Sequence, residues 1–201
     1  MPQFRMMPHK IILASASPRR QALLRDAGLP FQVRLLPVEE HFPEDMPALE
    51  VAEYLAVKKG IAHQEHMQPD EIVITADTTV VVDELVLNKP EDEAEALQML
   101  QRISGRGHQV VTGVCLSFPD RQEHFSDITD VYFRPLDKSE MTYYITHYEP
   151  FDKAGAYAIQ EWIGMVGIER IEGSYFNVVG LPVSKLLTTL RKMAIVPVNP
   201  L

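Results

Sequence analysis

With 201 residues, 46% of them hydrophobic and 23% charged, the chain reads as one globular domain over residues 1–195 in two lobes, followed by a tail over 196–201. Its 28 acidic residues against 19 lysines and arginines give a net charge of −9, which argues against general binding to nucleic acid. A single cysteine excludes an internal disulfide and a cysteine-based zinc site. No apolar run is long enough for a membrane helix, and Met1–Lys10 lacks the apolar region of a signal peptide, so a cytoplasmic protein with no membrane partner is expected.

The first predicted element is a short strand, Ile11–Leu13. A helix follows, with Ser17 as N-cap, Pro18 at its first position and Gly28 beyond its last turn. Phe31–Leu35 reads as a second strand, and the apolar spacing from Pro47 to His63 predicts an amphipathic helix. The β-branched run Ile72–Val82 predicts a central strand. A helix is expected over Glu91–Ile103, then two antiparallel strands, Gln109–Phe118 and Ile128–Arg134, joined through Pro119-Asp-Arg-Gln. Asp137 with Glu140 has the pattern of a capping box for a helix reaching His147. Met165–Ile171 reads as a late strand, Pro182–Lys192 as a terminal helix, and residues 196–201 as an extended, poorly ordered tail. Strands and helices alternate without a strict βαβ repeat, which predicts an α/β fold on a mixed twisted sheet.

Chemistry concentrates in a few places. Arg19 and Arg20 sit in a helix first turn, against the positive end of its dipole, where acids are preferred. With Ser15, small neighbours and free backbone N–H groups, they make a phosphate site, against the plainer reading of a surface turn. Asp77 interrupts an apolar strand, where a carboxylate needs a partner; it reads as a metal-binding or water-activating group, or as a structural turn residue. Glu39 and Glu40 form a loop pair suited to a hard cation, although such pairs are commonly just solvated. Lys59 lies on a helix, Lys89 precedes Pro90, and Lys153 is followed by small residues that let a ligand approach the backbone. The histidines show no zinc spacing, and no Gly-x-Ser-x-Gly elbow supports a serine nucleophile. Trp162 and Tyr157 read as packing residues rather than base-stacking platforms.

Seven segments in order carry a resemblance across Ile11 to about Leu190: Ser15-Ala-Ser-Pro-Arg-Arg20, Ala76-Asp-Thr78, Asn88-Lys-Pro90, Ser104-Gly105, His108-Gln-Val-Val-Thr-Gly113, Asp152-Lys-Ala-Gly-Ala-Tyr157 and Val179-Gly-Leu-Pro182. Together they resemble the Maf-like nucleoside triphosphate pyrophosphatases. The resemblance implies a fold like that of the inosine-triphosphatase (Ham1) group, a mixed sheet with flanking helices and two lobes around a cleft. It implies hydrolysis of a nucleoside triphosphate to monophosphate and pyrophosphate with a divalent metal, Mg²⁺ or Mn²⁺. Asp77 would be the general base; Ser15, Arg20, Lys59, Lys89 and Lys153 would bind phosphate; Glu40 with Asp77 would hold the metal. Arg19, Thr78 and Gln160 match the branch acting on dTTP and UTP, with modified pyrimidine nucleotides as further substrates. The rivals are a 7-methyl-GTP pyrophosphatase and a non-catalytic nucleotide-binding regulator of cell division. A homodimer is implied by resemblance alone. Against the family pattern, Glu39 stands where Asp is frequent, Gly60 replaces an Ala beside Lys59, and Ala158 replaces a Gly.

Overall fold

The computed structural model describes residues 9–196, which build a seven-stranded mixed sheet: β1 (Lys10–Leu13), β2 (Gln32–Val33), β3 (Glu71–Val82), β4 (Leu85–Leu87), β5 (Gly107–Ser117), β6 (Gln122–Phe133) and β7 (Ile168–Glu172). The order is β2-β1-β3-β5-β6-β7, with β4 also paired to β3. The helices are α1 (Pro18–Asp26), α2 (Val51–Gln64), α3 (Glu93–Ile103), α4 (Lys138–Tyr148), α5 (Trp162–Gly167), α6 (Tyr175–Val179) and α7 (Val183–Lys192), with 3-10 turns at Pro150–Asp152 and Ala154–Ala156.

The pairing of β3 positions the site. One edge of β3 runs along β5 from Val73 to Val81. The other edge carries β1, parallel, up to Ile74, and β4, antiparallel, from Val80 onward. Between them, Thr75–Thr79 have no strand beside them on that edge. The apolar core divides at the same place. Ile72, Ile74 and Ala76 pack with β1, α1 and α7, whereas Val80 and Val82 pack with α3, α4 and Tyr157. Two packed cores thus sit on one long strand, parted at Asp77–Thr79. Val81 and Val111 face the other way, against Ala52 of α2, so helices cover both faces.

Local chemistry sets the element ends. The Ser17 Oγ accepts from the Arg20 N–H at 3.4 Å, Pro18 opens α1, and Gly28 takes a φ of 72° beyond it. Asp137 and Glu140 form the expected capping box on α4. Three expectations are corrected. The second strand shrinks to Gln32–Val33. Pairing with β5 extends β6 back to Gln122, through residues too polar to read as a strand. Met165 lies in α5, and β7 begins only at Ile168. The hairpin strand β4 and helix α6 have no counterpart among the predicted elements. Of the expected tail, residues 197–201 lie outside the described residues.

Candidate active site

A cleft of about 850 Å³ opens at the gap in the β3 edge, and its lining brings together Ser15, Arg19, Arg20, Glu40, Lys59, Asp77, Thr78, Lys89, Lys153 and Gln160, all expected from the sequence to serve the site. Glu39 is exposed and is not among the lining residues. Five cationic side chains line the cleft against three carboxylates, Glu40, Asp77 and Asp152, so a chain of net charge −9 is locally positive there.

Asp77 is buried, and Lys59 of α2 donates to its Oδ1 at 2.5 Å. Gly113 makes that reach possible: it lies opposite Asp77 in β5, and a side chain on it would overlap the backbone of Ala52 and Glu53. Only glycine lets α2 lie this close to the sheet. Gly60 acts likewise one residue after Lys59, since a Cβ there would fall 2.6 Å from the Ser117 Oγ.

Lys59 also contacts Glu40 at 2.8 Å, and Lys89, more exposed, stands 3.9 Å from the other Glu40 oxygen. Burial alone would raise the Glu40 pKa. The hydrogen bond from Lys59 and the charges of Lys59, Lys89 and Arg20 outweigh it and hold the carboxyl below its usual range.

Arg20 is tied down. Its Nε donates to the Gly180 carbonyl at 2.8 Å, Nη1 to the Ala76 carbonyl at 2.8 Å and to the Ser15 Oγ at 3.4 Å, and Nη2 to the Thr78 Oγ1 at 3.0 Å. Four of the five guanidinium N–H groups are thereby committed, leaving one on Nη2 for a ligand. Desolvation lowers the Arg20 pKa, against the opposing pull of Asp77. Ser15 shows the reverse balance: its Oγ accepts from the Ser17 N–H at 3.3 Å and from Arg20, so its own proton is free to be donated.

At the other wall, Arg19 pairs with Asp152 at 2.9 Å, and the buried Lys153 donates to Asp152 at 2.6 Å. Burial would raise Asp152, but its hydrogen bonds from Lys153 and Arg19 lower it overall. Lys153 also lies 3.4 Å from Glu161, which accepts a hydrogen bond from the buried Tyr144 hydroxyl. Gln160 is exposed on the cleft wall. Ala156 takes a positive φ of 60°, whereas Ala158 does not, so the missing glycine at 158 imposes no strain.

Sequence reasoning missed Thr112, Asn177, Asp152, Glu161 and Tyr144. Thr112 faces Thr78 in the β3–β5 register, and no feature of its own stretch, Val110-Val-Thr-Gly113, announces a polar contact. Tyr157 packs in the core with its hydroxyl 2.7 Å from His108 Nε2, as a packing residue should.

For a metal, Glu40 and Asp77 are hard oxygen donors on either side of the Lys59 ammonium, a place already suited to positive charge. No cluster of three or more metal-ligating side chains occurs among the described residues. The pair therefore fits an ion such as Mg²⁺ that takes one or two carboxylates and completes its shell with phosphate oxygens and water. No helix among the described residues is long and apolar enough to cross a membrane.

The family model for Maf-like proteins matches residues 10–193. Curated relatives named dTTP/UTP pyrophosphatase include one from Phocaeicola vulgatus, 50% identical over 92% of this chain and 96% of its own. Another, from Bacteroides thetaiotaomicron, is 47% identical over the same shares. Among solved structures, the Staphylococcus aureus Ham1 protein is similar in fold at 16% identity, with a TM-score of 0.55 over 92% of this chain and 99% of that one. The motifs, the matched span and the relatives agree: the chain belongs to the Maf-like protein family.

Proposed function

We propose that this protein is a nucleoside triphosphate pyrophosphatase that hydrolyses dTTP and UTP, and modified pyrimidine nucleotides of the same form, to the monophosphate and pyrophosphate. The observation that carries the reading is the buried Asp77–Lys59 pair at the gap in β3, ringed by cations in a nucleotide-sized cleft. The names borne by relatives of 45–50% identity support the substrate assignment.

In this reading Asp77 accepts a proton from water as the water oxygen bonds to phosphorus. The P–O bond between the α- and β-phosphates breaks, and pyrophosphate leaves with the electron pair. Lys59 orients Asp77 through their 2.5 Å contact. Ser15 donates its free hydroxyl proton to a phosphate oxygen, and Lys89, Lys153 and the remaining Arg20 N–H spread the negative charge. A divalent cation held by Glu40 and Asp77 would polarise the phosphate oxygens. Arg19, Thr78 and Gln160 face the same cleft and are assigned to substrate identity.

The test is pyrophosphate release from a panel of nucleotides with Mg²⁺ or Mn²⁺. Preference for dTTP and UTP is expected, together with an Asp77→Asn variant that binds nucleotide but turns over at least about 100-fold more slowly. Preference for 7-methyl-GTP would reassign the substrate. No pyrophosphate from any nucleotide would reject the reading.

A further inference from the structure

The proton inventory around Thr78 points to a property of the cleft that residue identity alone does not give. Thr112 is fully buried, and its hydroxyl donates to the Asn177 carbonyl at 3.0 Å. A hydroxyl has one proton, so Thr112 can only accept in its 2.9 Å contact with Thr78. The Thr78 proton is therefore directed inward, to Thr112, or to the more distant Gly180 carbonyl at 3.5 Å, which already receives Arg20 Nε. Arg20 Nη2 fills one Thr78 lone pair at 3.0 Å. One lone pair remains on a side chain that lines the cleft.

We propose that Thr112 is a positioning residue that, with Arg20, holds the Thr78 hydroxyl as an acceptor toward the cleft, so that the site selects bases carrying a ring N–H over bases with a bare ring nitrogen. Uracil and thymine belong to the first class, as do hypoxanthine and guanine; cytosine and adenine belong to the second. A lone pair facing a ring N–H makes a hydrogen bond, whereas a lone pair facing a bare nitrogen leaves two acceptors opposed. The inference deepens the pyrimidine assignment: it supplies a reason for accepting UTP and refusing CTP, two nucleotides of nearly identical size.

Thr112→Val keeps the shape and removes the oxygen, freeing the Thr78 proton to turn outward. The Asn177 carbonyl still receives the Gly180 N–H at 3.0 Å. The measurements are calorimetric affinities for the α,β-imido analogues of UTP and CTP, and kcat/KM for UTP and CTP from pyrophosphate release. They are made on the wild type, Thr112→Val and Thr112→Ser, each with a melting curve. The expected result is a UTP-to-CTP ratio that falls about tenfold in Thr112→Val and is restored in Thr112→Ser. Thr78→Val, which removes the acceptor itself, should also erase the ratio and serves if Thr112→Val does not fold. An equal ratio in wild type and Thr112→Val, or in wild type and Thr78→Val, overturns the proposal whatever happens to the melting point. Because the analogues bind without turnover, a shifted affinity ratio with no pyrophosphate from any nucleotide would sink the enzymatic reading while supporting this one.

Discussion

Arg20 donates from Nη1 to the carbonyl of Ala76 at 2.8 Å, in the stretch where β3 has no strand along that edge. The guanidinium takes the place of a missing neighbour. It closes a ladder carbonyl, and through Gly180 it ties the turn between α6 and α7 to the start of α1. Arg20→Ala would leave the Ala76 and Gly180 carbonyls and the Thr78 hydroxyl short of a donor, at a cost of about 2–4 kcal/mol. Its expected phenotype is a lowered denaturant midpoint together with weaker binding of every nucleotide. Arg20→Lys should recover little of either, because one ammonium cannot span contacts made by three nitrogens. An Arg20→Ala variant of unchanged stability would refute the bracing role.

The Lys59 ammonium separates two carboxylates, Asp77 and Glu40, that would otherwise face each other. Lys59→Met preserves the stem and removes the charge. Turnover should fall by at least about 100-fold. The Glu40 carboxyl should rise toward or above its ordinary value, which its ¹³C chemical shift reads during an acid titration. In the wild type the depressed Glu40 pKa contributes stability above the ordinary carboxylate range, and that contribution is lost as pH falls through the lowered value. Lys59→Met should lose this part of the acid dependence. An unmoved Glu40 titration would show that Lys59 does not set it.

Gly113 is the steric condition for the Lys59–Asp77 contact, because any Cβ there meets the α2 backbone at Ala52 and Glu53. Backbone is not the movable end of a side chain, so Gly113→Ala must shift the helix. The expected outcome is a loss of about 1–3 kcal/mol on thermal or denaturant unfolding, with a fall in kcat larger than the lost stability explains. Wild-type kcat in Gly113→Ala would mean that the approach of α2 is looser than this packing requires.

Much of this arrangement is legible in the sequence. The β-branched run around Asp77 marks a buried strand with one costly carboxylate, and the Ser17-Pro18 start marks a helix end close to it. The turn into β4 was not legible: Asp83 and Glu84 both take positive φ, 48° and 63°, where Asn and Gly are the usual signal and Glu carries none. The first half of β6 is polar because β7 pairs only with Asp130–Phe133, so Gln122–Ile128 form an open edge. Site partners were harder still. Nothing in the spacing says that Arg20 is committed to backbone carbonyls, or that Lys153 meets both Asp152 and Glu161, since those contacts exist only once distant segments meet.

His108 carries the clearest pH signature. It is buried against Phe133 and Tyr157, its Nε2 bonded to the Tyr157 hydroxyl at 2.7 Å, and burial lowers its pKa from 6.5 to about 4. The neutral ring is the form the fold accommodates. Between those two values the unfolded chain binds a proton that the folded chain does not, so stability rises with pH. The contribution is complete above about pH 6.5 and is lost as pH falls toward 4, by about 3 kcal/mol at the lower end. Melting temperatures measured from pH 7 to pH 4 should therefore decline more steeply for the wild type than for His108→Phe, which fills the same space without a titrating nitrogen. Tyr157→Phe separates the charge from the hydrogen bond: it should lower the melting temperature at every pH and keep the steep acid slope. Parallel slopes for wild type and His108→Phe would place the acid sensitivity on the carboxylates instead.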